Sequence, residues 1–201
     1  MADSGWARRV YAFVKWPSMG RVKTRLAADI GPVAATAFYR RTSGSVLTGL
    51  ADDPRWRLVL ATDPRDRLHQ PVPGWPRRAP RLAQTGGDLG RRMGDVFFRA
   101  PPGPVVIIGA DAPDLRPRHI AEAFRALGAA DAVFGPAHDG GYWLIGLKRL
   151  RAAPRLFENV RWSTAHALKD TIESLPADFS VRRLEVLRDV DRGADLAALR
   201  R

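Results

Sequence analysis

The clearest pattern along the chain is a series of short apolar runs separated by longer stretches of helical periodicity. Val105-Val106-Ile107-Ile108 is unbroken and entirely β-branched, and it gives way to Gly109-Ala110-Asp111-Ala112-Pro113-Asp114. An apolar run without alternation predicts a strand buried on both faces, as in a parallel sheet, here over 105–111 with Asp111 at its carboxyl end. Arg9 to Val14, Trp56 to Ala61, Asp131 to Gly135 and Tyr142 to Leu147 read as further strands. Arg81 to Gln84 reads as a short strand and Arg182 to Leu187 as a late one. A first helix is predicted from Gly31-Pro32 to about Leu50, with Val33, Ala37, Phe38, Val46 and Leu50 as its apolar stripe. A second runs from the cap Asp88 to about Arg99 and turns Leu89, Met93, Val96 and Phe97 to the core. Others are predicted from Pro117 to about Leu127, from a Ser163 or Thr164 cap to about Ser174, and at the C-terminus with Asp195 in the first turn. Strands alternating with helices predict an α/β fold: one domain over 1–201, a mostly parallel sheet, helices on both faces.

Open sheets of this kind bind ligands beyond the carboxyl ends of their strands. After the first strand comes Lys15-Trp16-Pro17-Ser18-Met19-Gly20-Arg21-Val22-Lys23-Thr24-Arg25-Leu26, read as a loop with four cations and a glycine. Lysine and arginine there suit phosphate, and Gly20 permits close backbone approach. Lys23-Thr24 resembles a P-loop only superficially, because Val22 stands where the glycine belongs; the plainer alternative is a solvated basic loop. Asp111 on a strand tip is placed to hold a hard cation such as Mg²⁺, which takes one or two carboxylates with phosphate and water. The plainer alternative is a pair with an arginine. Gly86-Gly87 before the Asp88 cap would admit a ligand to a helix start. Asp139, before Gly140-Gly141, is a second carboxylate for the ligand edge, and those glycines serve either the turn or an approaching ring. Asp191 is a third, with helix capping as its alternative. His138 reads as a solvated loop residue. The proline-rich segment from Gln70 to Pro80 reads as irregular and exposed, either a lid or a long connection.

Composition narrows the picture. With 45% of 201 residues hydrophobic, the chain can bury a real core. No run of eighteen apolar residues occurs, so no membrane span is expected. Trp6-Ala7-Arg8-Arg9 followed by a short strand lacks the features of a secretory leader. There is no cysteine, which removes thiolate metal sites and thiol nucleophiles, and a cytoplasmic location is expected. The net charge of +12 invites a nucleic-acid reading, but the charge is nearly all arginine scattered through every segment, without a basic block. Biased codon usage or attraction to polyphosphate ligands accounts for it equally well.

Five stretches then stand in one order: Phe13-Val14-Lys15-Trp16-Pro17 with Gly20-Arg21-Val22-Lys23-Thr24-Arg25-Leu26-Ala27; Gly87-Asp88-Leu89-Gly90 with Arg92-Met93; Ile108 to Leu115; Gly135-Pro136-Ala137 with Asp139 to Leu147; and Asp189-Val190-Asp191. From about Val10 to Leu199 the chain resembles a bacterial glycosyltransferase-A-like (GT-A) family of the nucleotide-diphospho-sugar transferase superfamily. It is more distantly similar to the guanylyltransferases of molybdenum-cofactor and phospholactate metabolism. The resemblance implies a single-domain GT-A fold, a Rossmann-like three-layer sandwich that binds a nucleotide with a divalent metal, Mg or Mn. It implies a transferase using a nucleotide-sugar or nucleoside triphosphate donor and a small-molecule acceptor that the sequence does not identify. Lys15, Gly20, Lys23, Thr24 and Arg25 would hold the donor's phosphates, and Gly86, Gly87 and Asp88 would border the nucleotide. Asp111 and Asp139 would serve the chemistry, and Asp111, Asp139 and Asp191 would be metal ligands. Relatives often carry threonine after the closing Asp-Val-Asp; here Arg192 follows. A non-catalytic nucleotide-binding module and a charge-driven nucleic-acid binder are the alternatives.

Overall fold

The computed structural model of the protein describes residues 7–149 and 153–199. Trp6 and the two ends of the 1–201 span lie outside them. The central strands are β1 (Arg9–Lys15), β2 (Arg57–Asp63), β3 (Arg81–Ala83), β4 (Val105–Gly109), β5 (Ala132–Pro136), β6 (Tyr142–Leu147) and β7 (Val181–Arg183). They form one sheet in the order β3-β2-β1-β4-β6-β5-β7. Alternate residues feed two cores. Val10, Ala12, Val14, Val106 and Ile108 face one side, while Tyr11, Val105 and Ile107 face the other. This is why the β4 run is apolar throughout: both of its faces are covered.

The helices supply the outer layers. α2 (Pro32–Ala51) and α4 (Pro117–Ala129) cover the first face with Val46, Leu47, Leu50, Ile120, Phe124 and Leu127. α3 (Leu89–Arg99) covers the second with Met93, Val96 and Phe97, and α5 (Ala167–Glu173) adds Leu168 and Ile172. α1 (Thr24–Ile30) and α6 (Gly193–Ala198) make a smaller cluster with the start of α2, in which Leu26, Ala35, Phe38 and Val190 are buried. Removing Val190 from water is worth about 1.5–3 kcal/mol. That burial pins the stretch between Asp189 and Asp191 against α1.

The three-layer α/β architecture agrees with the sequence reading. Several local expectations need correction. The sheet is parallel except for β6, which runs antiparallel to both β4 and β5. β4 stops at Gly109, where pairing with β1 ends, so Asp111 sits two residues past the strand. The basic segment is not loop through Leu26, because Lys23 turns into α1. Seven residues are too few to show a helical period. Val33 is 68% exposed and Leu89 37% exposed, so neither belongs to the core stripe assigned to it. Gln70 to Pro80 is irregular but no lid: Val72 and Trp75 are buried, and Trp75 Nε1 donates to Ser43 Oγ at 2.9 Å. The helix expected from Ser163 or Thr164 starts at Ala167, while Thr164 Oγ1 donates to the Arg161 carbonyl. The late strand is only β7. After it, Trp143 Nε1 donates to the Glu185 carbonyl and buried His119 contacts the Glu185 carboxylate, so the chain leaves the ladder and returns at Leu187 beside Ala137. Asp88 does cap α3, accepting from the Arg91 N–H at 2.8 Å.

The β5–β6 turn shows why Gly140 is a glycine. Its φ is +84°, and a Cβ there would run into the Ala165 backbone. The Gly140 carbonyl also accepts from Leu168 N–H at the start of α5. Gly140→Ala is expected to cost about 2 kcal/mol or more of stability, read from the urea midpoint.

Candidate functional site

In the sheet order, β1 and β4 are the neighbours whose following segments diverge, β1 toward α1 and α2 and β4 toward α4. Crevices of doubly wound sheets form at such a switch point. Here the crevice is a cleft of about 380 Å³ lined by residues of the β1 end, the basic segment, Tyr39, Gln84, Leu89, Arg92, the β4 end and Asp191.

The floor is rigid. Tyr39, buried on α2, accepts from the Lys15 N–H at 2.9 Å and fixes the end of β1. Burial raises its hydroxyl pKa, so it stays protonated. Gln84 donates to the Ala61 carbonyl at 2.7 Å and accepts from Arg92 at 3.1 Å. Arg92 also donates to the Asp88 carbonyl. One guanidinium is thereby held at the cleft wall with donors to spare.

At the centre lies Lys23. Its Nζ stands 2.7 Å from Asp111 Oδ2 and 2.9 Å from Asp191 Oδ1, and its side chain is 4% exposed. Arg25 adds a contact to the other Asp191 oxygen at 3.3 Å. Burial by itself lowers the ammonium pKa, but the two carboxylates outweigh it and the net shift is upward. Asp191 is held from behind: its backbone N–H and that of Arg192 donate to Asp195 Oδ2.

A second hollow of about 430 Å³ adjoins the cleft and shares Arg25 and Asp191 with it. His138, Asp139, Arg188, Asp189, Arg192 and Asp195 complete its wall. Asp139 is exposed and turns Oδ1 back onto the Gly141 N–H at 2.8 Å. The Asp189 pKa is pushed up to about 6, first by burial and then by the charges of Asp139, Asp191 and Asp111 against that of Lys23.

Lys15, Lys23, Thr24, Arg25, Asp111 and Asp191 therefore meet in one cleft, with Asp139 in the hollow beside it. Gly20 makes the turn before Arg21, with φ +73°, and does not line the cleft. Gly86 and Gly87 line a separate depression with Arg91 and Phe98, and Asp88 is spent on the helix cap. Tyr39, Arg21, Gln84, Leu89, Arg92 and Asp189 were not singled out from sequence as site residues. Arg21, Leu89, Arg92 and Asp189 stand in the stretches that carry the resemblance; Tyr39, in mid-helix, reads from sequence as ordinary core.

The implied divalent metal can be tested on the donor set. Asp111 and Asp191 both reach one point, are 39% and 36% exposed, and offer only hard oxygen. Among the described residues no cluster of three or more His, Cys, Asp or Glu side chains forms a complete cage. Two carboxylates beside a basic cleft suit a Mg²⁺-type ion, which keeps water and takes phosphate oxygens. The residues fit.

Residues 46–164 match the family model described as "Uncharacterized protein conserved in bacteria (DUF2064)". The chain belongs to this family. The DUF2064 chain is 34% identical to a candidate nucleotide-diphospho-sugar transferase from Desulfovibrio desulfuricans G20, over 96% of this chain and 86% of that one, with a TM-score of 0.84. It shares its fold with a CMP:2-keto-3-deoxy-manno-octonic acid synthetase solved with CTP, at 14% identity, 96% and 97% coverage and a TM-score of 0.60. It also shares the fold of Rv0371C from Mycobacterium tuberculosis H37Rv solved with manganese, at 15% identity, 96% and 97% coverage and a TM-score of 0.50. Among curated proteins none matches the sequence. The DUF2064 protein thus has the α/β fold of the nucleotide-diphospho-sugar transferases, as the sequence resemblance implied.

Asp189 gives a pH prediction. Its pKa in the folded protein lies above the ordinary carboxylate range, so folding favours the protonated form. That contribution is complete at low pH and is lost as pH rises through about 6. Asp189→Asn should therefore be more stable than the parent at pH 8 in chelator, with the difference shrinking toward pH 4, by denaturant titration.

Proposed function

We propose that this protein is a transferase that binds the phosphates of a nucleoside triphosphate or nucleotide-sugar in the cleft between β1 and β4 and passes a nucleotidyl or glycosyl group to a small acceptor. The observation that carries the reading is the meeting of the Lys15–Arg25 cations with Asp111 and Asp191 at the strand ends. Lys15, Arg21, Arg25 and Arg92 are the cations that would neutralise donor phosphates; Arg adds planar, bidentate grip. Asp111 and Asp191 would hold a divalent metal, Mg or Mn, which supplies charge neutralisation on the transferring phosphate when bound. The fold of a synthetase solved with CTP and of a protein solved with manganese supports both parts.

Chemistry of this type asks little covalent work of the protein. An acceptor oxygen forms a new bond to phosphorus or to the sugar carbon while the bond to the leaving phosphate breaks. The chain's task is to hold the two in line and to balance the charge left on the departing oxygens. The adjoining hollow, with Asp139 and Asp189, lies where an acceptor would approach the metal-side carboxylates. Asp139 is the candidate to receive the acceptor's proton. No step requires a protein nucleophile.

Thermal-shift titration with nucleoside triphosphates and nucleotide-sugars, with and without Mg²⁺ or Mn²⁺, tests the reading. At least one donor should raise the melting temperature in a metal-dependent way, and Asp111→Asn should abolish the metal-dependent part. In turnover, the same change should cost on the order of a hundredfold or more in rate. Stabilisation by donors without turnover across acceptors would favour a binding module. Binding to DNA or RNA with a steep salt dependence and no donor response would favour nucleic acid.

A further inference from the structure

Lys23 does more than a phosphate-gripping lysine needs to do. Such a side chain would reach into the cleft with its ammonium in solvent; this one is nearly buried and aimed at two carboxylates. Its backbone is left-handed, with φ 46° and ψ 48°, a conformation uncommon for a residue with a side chain. No side-chain cap accompanies it at the start of α1. The strained residue turns the chain so that Nζ falls between Asp111 on the β4 side and Asp191 at the C-terminal end of the fold. Two of the three ammonium donors are taken by the pair.

Those two carboxylates are the same pair whose donor set fits a divalent ion. Mg²⁺ needs carboxylate oxygens at about 2.0–2.1 Å, and the ammonium already stands in contact with one oxygen from each. The two cations cannot share the point. We propose that Lys23 and a divalent cation compete for the place between Asp111 and Asp191, so that cation binding expels the ammonium into the cleft, where a donor's phosphates receive it. The part given to the donor's phosphates rests on reading the cleft as a donor site. It couples the two ligands. Without an anion the displaced ammonium loses its partners and metal affinity is held down; with a diphosphate in the cleft the ammonium regains a partner and both ligands bind better. Lys23 is then a positioning residue for the metal carboxylates as well as a phosphate contact.

The test is direct Mn²⁺ binding, followed by the electron-resonance signal of free Mn²⁺, with no nucleotide and no turnover. Lys23→Met keeps the stem and removes the charge. It should tighten Mn²⁺ binding by about tenfold or more, while abolishing the enhancement that inorganic pyrophosphate gives to Mn²⁺ binding in the parent. Lys23→Arg, which keeps the charge, should not tighten it. A second measurement needs no variant: acetylation of Lys23 in the parent protein, read by peptide mass spectrometry, should rise when Mn²⁺ is added. Unchanged or weaker Mn²⁺ binding in Lys23→Met, Mn²⁺ binding to neither protein, or Lys23 labelling that is indifferent to Mn²⁺ would overturn the competition. If donors fail to bind while Lys23→Met still tightens Mn²⁺, the donor reading falls and the competition stands.

Discussion

The site depends on one electrostatic contact: a single ammonium facing two carboxylates, one from the middle of the chain and one from near its C-terminus. Taking Lys23, Asp111 and Asp191 partly out of water is costly, and the arrangement is favourable only because opposite charges stand at hydrogen-bond distance. The surroundings are built to keep them there. Leu26 and Val190 are buried together in the small cluster formed with α2, so the segment holding Lys23 and the one holding Asp191 share an anchor. Asp111 is delivered by β4, the strand covered on both faces. Asp29 Oδ2 accepts from the Gly193 N–H at 2.8 Å, which ties α1 to the start of α6.

Much of this could be read from the residues because it follows from burial on a strand or a helix end. The β4 run has no polar position, and both faces of that strand proved to be covered. Asp88 and Pro117 marked helix starts by chemistry that needs only a few neighbouring residues. What was illegible depends on partners distant in sequence. The brevity of β7 is set by Trp143 and His119 holding Glu185, from elements some forty and sixty residues upstream. The seven-residue α1 gives no period to recognise, and its start is a left-handed lysine rather than a capping side chain.

The site was legible in a similar, uneven way. The sequence marked Asp111, Asp191 and the basic segment as ligand-edge residues, and these meet in the cleft. It did not indicate that Lys23 would be paired with the acids, because a spacing of 168 positions says nothing of contact. The paired glycines at 86 and 87 looked like an approach to a helix start. The fold turns them toward a depression on the other side of α3, and it is Gln84, Leu89 and Arg92 that border the cleft.

The reversed direction of β6 has a consequence for the shape of the rim. A parallel neighbour would reach β5 through a crossover helix, and helices would then stand on every side of the opening. β6 instead joins β5 by the turn around Asp139 to Gly141, at the same end of the sheet as Asp111. That flank therefore carries a tight backbone turn in place of a helix, and it leaves the Asp139 carboxylate exposed beside the hollow that shares Arg25 and Asp191 with the cleft.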